Sequence, residues 1–188
     1  KQLEHFKNCD KANEKMIDTI NDLLDLTKIE EGRFQFKFSK LDIGKLTQDV
    51  IDYLKIDLER KSIKVNFKKP EKMPLVRADE EKISIVIKNL LENAIKYSFK
   101  ESEVDVSLRV EPDEIVFRVK DYGIGIPKEQ QYRIFQKFFR AGNASDLEPN
   151  GSGLGLYISN NIVDKHRGRL WFESGEGEGT AFYLALSL

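Results

Sequence analysis

Asn89, Asn93, Lys96 and Tyr97 stand at offsets of 0, 4, 7 and 8, which places two amides, an ammonium and a phenol on one stripe of a helix. The opposite side of that helix, Ile83, Val86, Ile87, Leu90, Leu91, Ala94 and Ile95, is apolar, so packing can hold it. Asparagine is a poor mid-helix residue, and two of them need a reason. Amide oxygens beside a lysine suit a hydrated magnesium ion and phosphate oxygens, which is the chemistry of a nucleotide site. On spacing alone, a polar face turned to water fits equally.

Two glycine boxes downstream favour the nucleotide. The segment Glu114 to Asp121 alternates Ile115, Phe117 and Val119 on one face of a strand and runs directly into Asp121-Tyr122-Gly123-Ile124-Gly125-Ile126-Pro127. A carboxylate at a strand end can accept a hydrogen bond from an exocyclic amine such as that of adenine, and the glycines let the backbone approach a flat ring. Alone, Asp-x-Gly-x-Gly is also an ordinary turn. The second box, Gly151-Ser152-Gly153-Leu154-Gly155-Leu156, opens a helix running to about His166, so its free amides would face an anion. It is neither a Walker loop nor a dinucleotide fingerprint, because no Gly-Lys-Ser/Thr follows and the third glycine comes one residue early.

In this order the segments resemble the ATP-binding catalytic domain of the two-component sensor histidine kinases, over essentially the whole chain. Asn89 to Ser98 matches that family's asparagine box, Asp121 to Gly125 its first glycine box, and Phe135-Gln136-Lys137-Phe138-Phe139-Arg140 its phenylalanine box. Gly151 to Leu156 matches the second glycine box, and Gly177-Glu178-Gly179-Thr180-Ala181-Phe182 the closing strand motif. The resemblance implies ATP and Mg2+ as ligands. It further implies an ATP site made of Asn89, Asn93, Lys96, Tyr97, Asp121, Gly123, Gly125, Ile126, Arg140, Gly151, Ser152, Gly153, Leu154, Gly155 and Thr180. Within it, Asn93 would offer its amide oxygen to magnesium, Lys96 and Arg140 would neutralise phosphate charge, and Tyr97 and Ile126 would flank the adenine that Asp121 recognises. The gyrase and MutL ATPases of the wider superfamily carry a glutamate at the position of Asn89. An amide is not a general base at neutral pH, so ATP would be kept for an incoming imidazole rather than for water. Glu92, off the stripe, reads as a solvated residue.

That imidazole is not expected in this chain. The family's acceptor histidine is followed by an acid, whereas His5 is followed by Phe6, Lys7, Asn8, Cys9 and Asp10. His166 falls in the last turn of a helix, where a cation is favoured by the dipole and no catalytic role is needed. The expected activity is therefore that of a protein-histidine kinase lacking its phosphoacceptor. The alternatives are a nucleotide-binding phosphatase or scaffold module, or an ATPase of the wider superfamily. The resemblance implies a response-regulator receiver domain and a second copy of the chain as partners.

The elements that must position these residues are legible in outline. A break near residue 33 separates a helix, residues 1–33, from a catalytic domain, residues 34–188. In the helix, Leu3, Phe6, Met16, Ile17, Ile20, Leu23, Leu24, Leu26 and Ile29 form a broad stripe with Gly32 as a stop. Such a stripe wants a bundle, and within the resemblance it is the second helix of the dimerisation and phosphotransfer hairpin; packing on its own catalytic domain is the alternative. Beyond it, strands are expected at Phe34–Phe38, Ile63–Phe67, Leu75–Arg77, Val104–Val110, Ile115–Lys120, Arg169–Glu173 and Ala181–Leu186. Helices are expected at Asp42–Arg60, after an Asp79 cap, and after Pro127 through the phenylalanine box. Both periods alternate irregularly, which suggests a mixed sheet covered by helices on one face. The fold class is α/β, and the resemblance implies the two-layer Bergerat sandwich preceded by a long N-terminal helix. Ala141 to Asn150 is the long irregular stretch and reads as a mobile lid.

Composition agrees with a globular domain: 40% of the 188 residues are hydrophobic and 34% charged, and the net charge of -1 carries no nucleic-acid signal. One cysteine, Cys9, excludes an internal disulfide and suits a reducing cytoplasm. No apolar run approaches the roughly 18 residues of a membrane span. The chain begins at Lys1. It is taken as a fragment of a cytoplasmic part, with any membrane attachment in regions outside it.

Overall fold

The computed structural model describes residues 2–147 and 151–188, without the side chains of residues up to 12 and of 14, 15 and 18. The chain separates into two compact units, 1–35 and 36–188. The first is one helix, α1 (Gln2–Glu30). It stops where Gly32 takes φ +65° and the Arg33 amide donates back to the Lys28 carbonyl at 2.8 Å, a left-handed closure that suits glycine. Met16, Ile17, Ile20, Leu23 and Leu24 are exposed along α1. His5 and Cys9 lie on α1, but their side chains are outside the described residues, as are those of Leu3 and Phe6.

The second unit runs β1 (Ser39–Leu41), α2 (Ile43–Tyr53), α3 (Lys55–Lys61), β2 (Lys64–Lys68), β3 (Val76–Ala78), α4 (Glu80–Tyr97), β4 (Glu103–Val110) and β5 (Glu114–Asp121). A 3-10 turn at Lys128–Arg133 follows, then α5 (Gly142–Leu147), α6 (Gly155–Lys165), β6 (Arg169–Gly175) and β7 (Gly179–Ser187). Five strands form one sheet in the order β2-β4-β5-β7-β6. Only β2 and β4 pair in parallel, so the sheet is mixed; β1 and β3 form a separate antiparallel pair.

Strict alternation explains the two layers. Val104, Val106, Leu108, Ile115, Phe117, Val119, Phe182, Leu184 and Leu186 are buried, and the strand period puts them on one face. The apolar side of α4 (Ile83, Val86, Ile87, Leu90, Leu91, Ala94) is 0–1% exposed. α4 packs on β5, with α6 and α2 beside it. Large apolar side chains buried this fully each contribute roughly 1.5–3 kcal/mol. That is why α4 tolerates its two asparagines.

Four expected elements differ. Phe34–Phe38 is irregular, and pairing begins only at Ser39. The alternation there is real, since Phe36 and Phe38 both lie against the His166 ring at 5.5 and 4.9 Å, but the Lys37 amide donates to the Asp79 carboxylate rather than to a strand. The helix expected at Asp42–Arg60 breaks at buried Leu54 (ψ 5°) into α2 and α3. Pro127 opens a 3-10 turn that ends at Arg133, before the phenylalanine box, within which Phe138 sits at φ +60°. The stretch expected as an irregular lid forms α5 over Gly142–Leu147; its last part, 148–150, lies outside the described residues.

Candidate functional site

Asp79 starts α4. Its Oδ1 accepts from the Lys82 amide at 3.0 Å and its Oδ2 from the Lys37 amide at 2.5 Å. Burial pushes this carboxyl up, but the Lys37 and Lys82 amides outweigh that and hold it below the usual aspartate range. The Asp79 amide in turn donates to His166 Nε2 at 3.0 Å, while His166 Nδ1 lies 2.7 Å from the Ile162 carbonyl. His166 is therefore a buried bridge between the end of α6 and the start of α4.

Three turns on, Asn89, Asn93, Lys96 and Tyr97 are half-buried on the stripe that spacing implied. Asn89 Nδ2 donates to Ser159 Oγ at 2.9 Å, and Asn93 Nδ2 donates to Asn89 Oδ1 at 3.4 Å. A Cβ on Gly155 would lie 2.4 Å from Asn89 Oδ1. The absence of a side chain there lets α6 begin against α4. The Asn89 nitrogen thus joins the two helices and its oxygen holds Asn93 one turn on along α4, whereas the Asn93 oxygen accepts no hydrogen bond from a described residue. Ser159, fully buried four residues after Gly155, was not anticipated; the i, i+4 relation to Gly155 was the available signal.

Asp121 closes β5 and is 3% exposed. Its Oδ1 accepts from the amides of Gly123 (3.0 Å) and Thr180 (3.1 Å). Its Oδ2 accepts from no described residue. Burial raises the Asp121 carboxyl, with the Gly123 and Thr180 amides opposing. Gly123 passes so near the end of α4 that a Cβ would fall 1.9 Å from the Tyr97 carbonyl, and the next amide, Ile124, donates to that carbonyl at 3.2 Å. Ile126 is half-buried, its amide donating to Ser174 Oγ at 2.9 Å, and Ser174 pairs with Thr180 Oγ1 at 2.9 Å. Ser174 is a second residue that sequence reasoning missed.

The second glycine box enters α6 without a side-chain cap: Leu154 occupies the cap position, and Ser152 Oγ accepts from the Leu154 amide at 3.3 Å. The first-turn amides point outward from a positive helix end. A Cβ on Gly153 would fall 2.8 Å from the Phe138 backbone, and one on Gly151 3.0 Å from Arg140 Nε. The phenylalanine box therefore carries Arg140 to the second glycine box. Arg140 also donates to the Ala144 carbonyl at 3.2 Å. Asn143 Nδ2 donates to the Gly125 carbonyl at 3.0 Å, so α5 is tied to the first glycine box.

All the sequence-derived residues thus come from four adjoining segments: the end of α4, the loop after β5, the start of α6 with Arg140, and the start of β7. A cleft of about 560 Å³ lies apart from them on the uncovered sheet face beside Arg118, Trp171 and Tyr183, and one of about 390 Å³ lies at their edge, beside Ile126, Gln131 and Ser174. Neither contains Asp121 or a residue of the α4 stripe.

Residues 78–188 match the family described as histidine kinase-, DNA gyrase B-, and HSP90-like ATPase. The chain is 34% identical over 175 residues to the sensor histidine kinase WalK of Bacillus subtilis, covering 92% of this chain and 28% of that protein. A sensor protein kinase WalK of Staphylococcus aureus is 33% identical over 92% of this chain and 42% of its own length. The chain therefore spans less than half the length of these relatives. Among solved structures, the catalytic domain of the histidine kinase ThkA superposes with a TM-score of 0.71 at 25% identity, over 81% of this chain and 98% of that one. The Acinetobacter baumannii histidine kinase AdeS shares the fold, with a TM-score of 0.79 at 20% identity over 97% of this chain and 83% of that one. With its buried aspartate, asparagine stripe and two glycine loops, the chain belongs to the histidine kinase-, DNA gyrase B-, and HSP90-like ATPase family, as an ATP-binding catalytic domain of the sensor histidine kinase type.

Proposed function

We propose that residues 36–188 bind ATP with Mg2+ in the groove between α4, the two glycine loops and β7, and transfer the γ-phosphate to a histidine outside this chain. The observation that carries this reading is Asp121: a buried carboxylate with one oxygen held by the amides of Gly123 and of Thr180 in β7, and the other open to a donor such as the adenine amine. Tyr97 and Ile126 flank that position, Lys96 and Arg140 meet the phosphates, and the uncapped amides of Gly155 and Leu156 face their negative charge. Asn93 fits the metal, because its amide oxygen is uncommitted. Among the described residues no cluster of three His, Cys, Asp or Glu side chains could hold an ion. A magnesium ion there would take phosphate and water oxygens for its remaining positions and neutralise charge at the transferred group.

Kinase chemistry is favoured over hydrolysis by Asn89. Its amide bridges to Ser159 and Asn93 and has no basicity to activate water. Glu92 is exposed and pairs with Lys88 at 3.6 Å, so it is no substitute. We assign α1 to the second helix of the dimerisation and phosphotransfer hairpin, with a second copy of the chain and a response-regulator receiver domain as partners of the parent protein. In that reading the site works in the cytoplasm. Among the described residues no helix is long and apolar enough to cross a membrane, and any membrane attachment belongs to other regions of the parent.

The test is phosphotransfer from γ-labelled ATP to a supplied helical hairpin bearing the acceptor histidine. Acid-labile, base-stable label on the hairpin that disappears with Asn93→Ala is expected. Brisk ATP hydrolysis without transfer would establish the ATPase reading instead.

A further inference from the structure

The last turn of α4 carries Lys96 and Tyr97, and a helix end leaves its final carbonyls without intrahelical partners. Lys61, the last residue of α3, supplies them. Its ammonium donates to the carbonyls of Ile95 (3.0 Å), Lys96 (2.6 Å) and Ser98 (3.3 Å). An ammonium has three N–H donors, so these three bonds use all of them. The carbonyl skipped in this set, that of Tyr97, is the one taken by the Ile124 amide of the first glycine loop. Every carbonyl from residue 95 to 98 is thereby held from outside α4, three by one cation and one by the loop that ends in the adenine pocket. The cation also sits at the negative end of the α4 dipole. Lys61 is itself anchored, since its carbonyl accepts from the Glu101 amide at 3.1 Å and α3 closes on Ser62 at φ +55°.

We propose that Lys61 is a positioning residue of the nucleotide site. Through the last turn of α4 it sets Lys96, Tyr97 and the first glycine loop in the arrangement that meets ATP, without touching the nucleotide. This assignment rests on the ATP-site reading above. Nothing in a motif search would find it, because Lys61 lies 35 residues before Lys96 on a different helix. A guanidinium is a planar fork and does not converge on three carbonyls as a compact ammonium does, so arginine is not an equivalent replacement.

The test measures Mg2+–ATP-analogue affinity by calorimetry in the Cys9→Ser protein, at a temperature where circular dichroism shows every variant folded. Lys61→Met and Lys61→Cys are expected to weaken binding about tenfold. Aminoethylation of the cysteine at position 61, which rebuilds an ammonium on a chain of lysine length, is expected to restore it. Exchange at the Ile124 amide should rise in Lys61→Met and fall again in the rebuilt side chain. Should Lys61→Met not fold, Lys61→Arg provides the same comparison, with weakened affinity expected. Wild-type affinity in a folded Lys61→Met or Lys61→Arg variant, with only a lower melting temperature, would reduce Lys61 to a structural cap and overturn the proposal. Asp121→Asn is the control: if it binds as well as wild type, the ATP-site reading fails, independently of Lys61.

Discussion

Asp121→Asn separates the fold from the ligand at one atom. Asp121 Oδ1 accepts from the Gly123 and Thr180 amides, and an asparagine oxygen can accept both. The new NH2 then points where Oδ2 was, so the loop should keep its shape while the ligand-facing acceptor becomes a donor. Two losses add for a ligand amine: the charge-assisted hydrogen bond, worth about 1.5–3 kcal/mol, and the burial of opposed donors, about 1–3 kcal/mol. Together these weaken nucleotide binding by roughly two to four decades, at about 1.4 kcal/mol per decade. Stability should move the other way. Because burial raises the folded-state carboxyl above its ordinary 3.8, the native state binds a proton more tightly than the unfolded chain, and wild-type stability falls as pH rises through that window. Above it the ionised group is a cost that the variant lacks. The variant should therefore melt no lower than wild type at pH 7, and any advantage should shrink as pH is lowered toward 4. Calorimetric titration with an ATP analogue and apo-protein melts from pH 4 to 8 measure both. An affinity within threefold of wild type, or lost affinity together with a collapsed melting temperature, would refute the reasoning.

Asn89→Glu should not create a brisk ATPase, because the longer side chain meets Gly155 and must surrender the bond to Ser159; a melting temperature lowered by the equivalent of about 1–3 kcal/mol, with little added phosphate release, is expected. A large gain in hydrolysis at unchanged stability would contradict this geometry. Asp79→Ala removes the α4 cap and the acceptor for the Lys37 amide, a loss of about 2–4 kcal/mol at neutral pH by denaturant melts. Since the folded-state Asp79 carboxyl is lowered, its contribution is present above pH 3.8 and lost as pH falls through the lower folded value. The wild-type and variant curves should thus converge in acid, and a gap that persists there would argue against the carboxylate.

The chemistry was written in local sequence because it depends on local spacing. The α4 stripe, the strand ending at Asp121 and the uncapped start of α6 follow from the helix and strand periods and from glycine placement, and each lies where those periods put it. The mixed sheet was likewise legible from alternating runs such as Ile115, Phe117 and Val119. Long-range pairing was not. That Phe34–Phe38 stays outside a sheet depends on Asp79, 42 residues after Lys37, competing for its amide. That His166 joins the end of α6 to the start of α4 depends on the Asp79 amide, 87 residues before it. Ser159, Ser174 and Lys61 have no motif of their own, and each acquires its role only from the carbonyl, amide or side chain that folding brings within 3 Å or so. Periodicity is a property of the chain and can be read along it; a hydrogen-bond partner is chosen by the packed structure, in which a buried polar group takes whichever donor or acceptor the fold sets beside it.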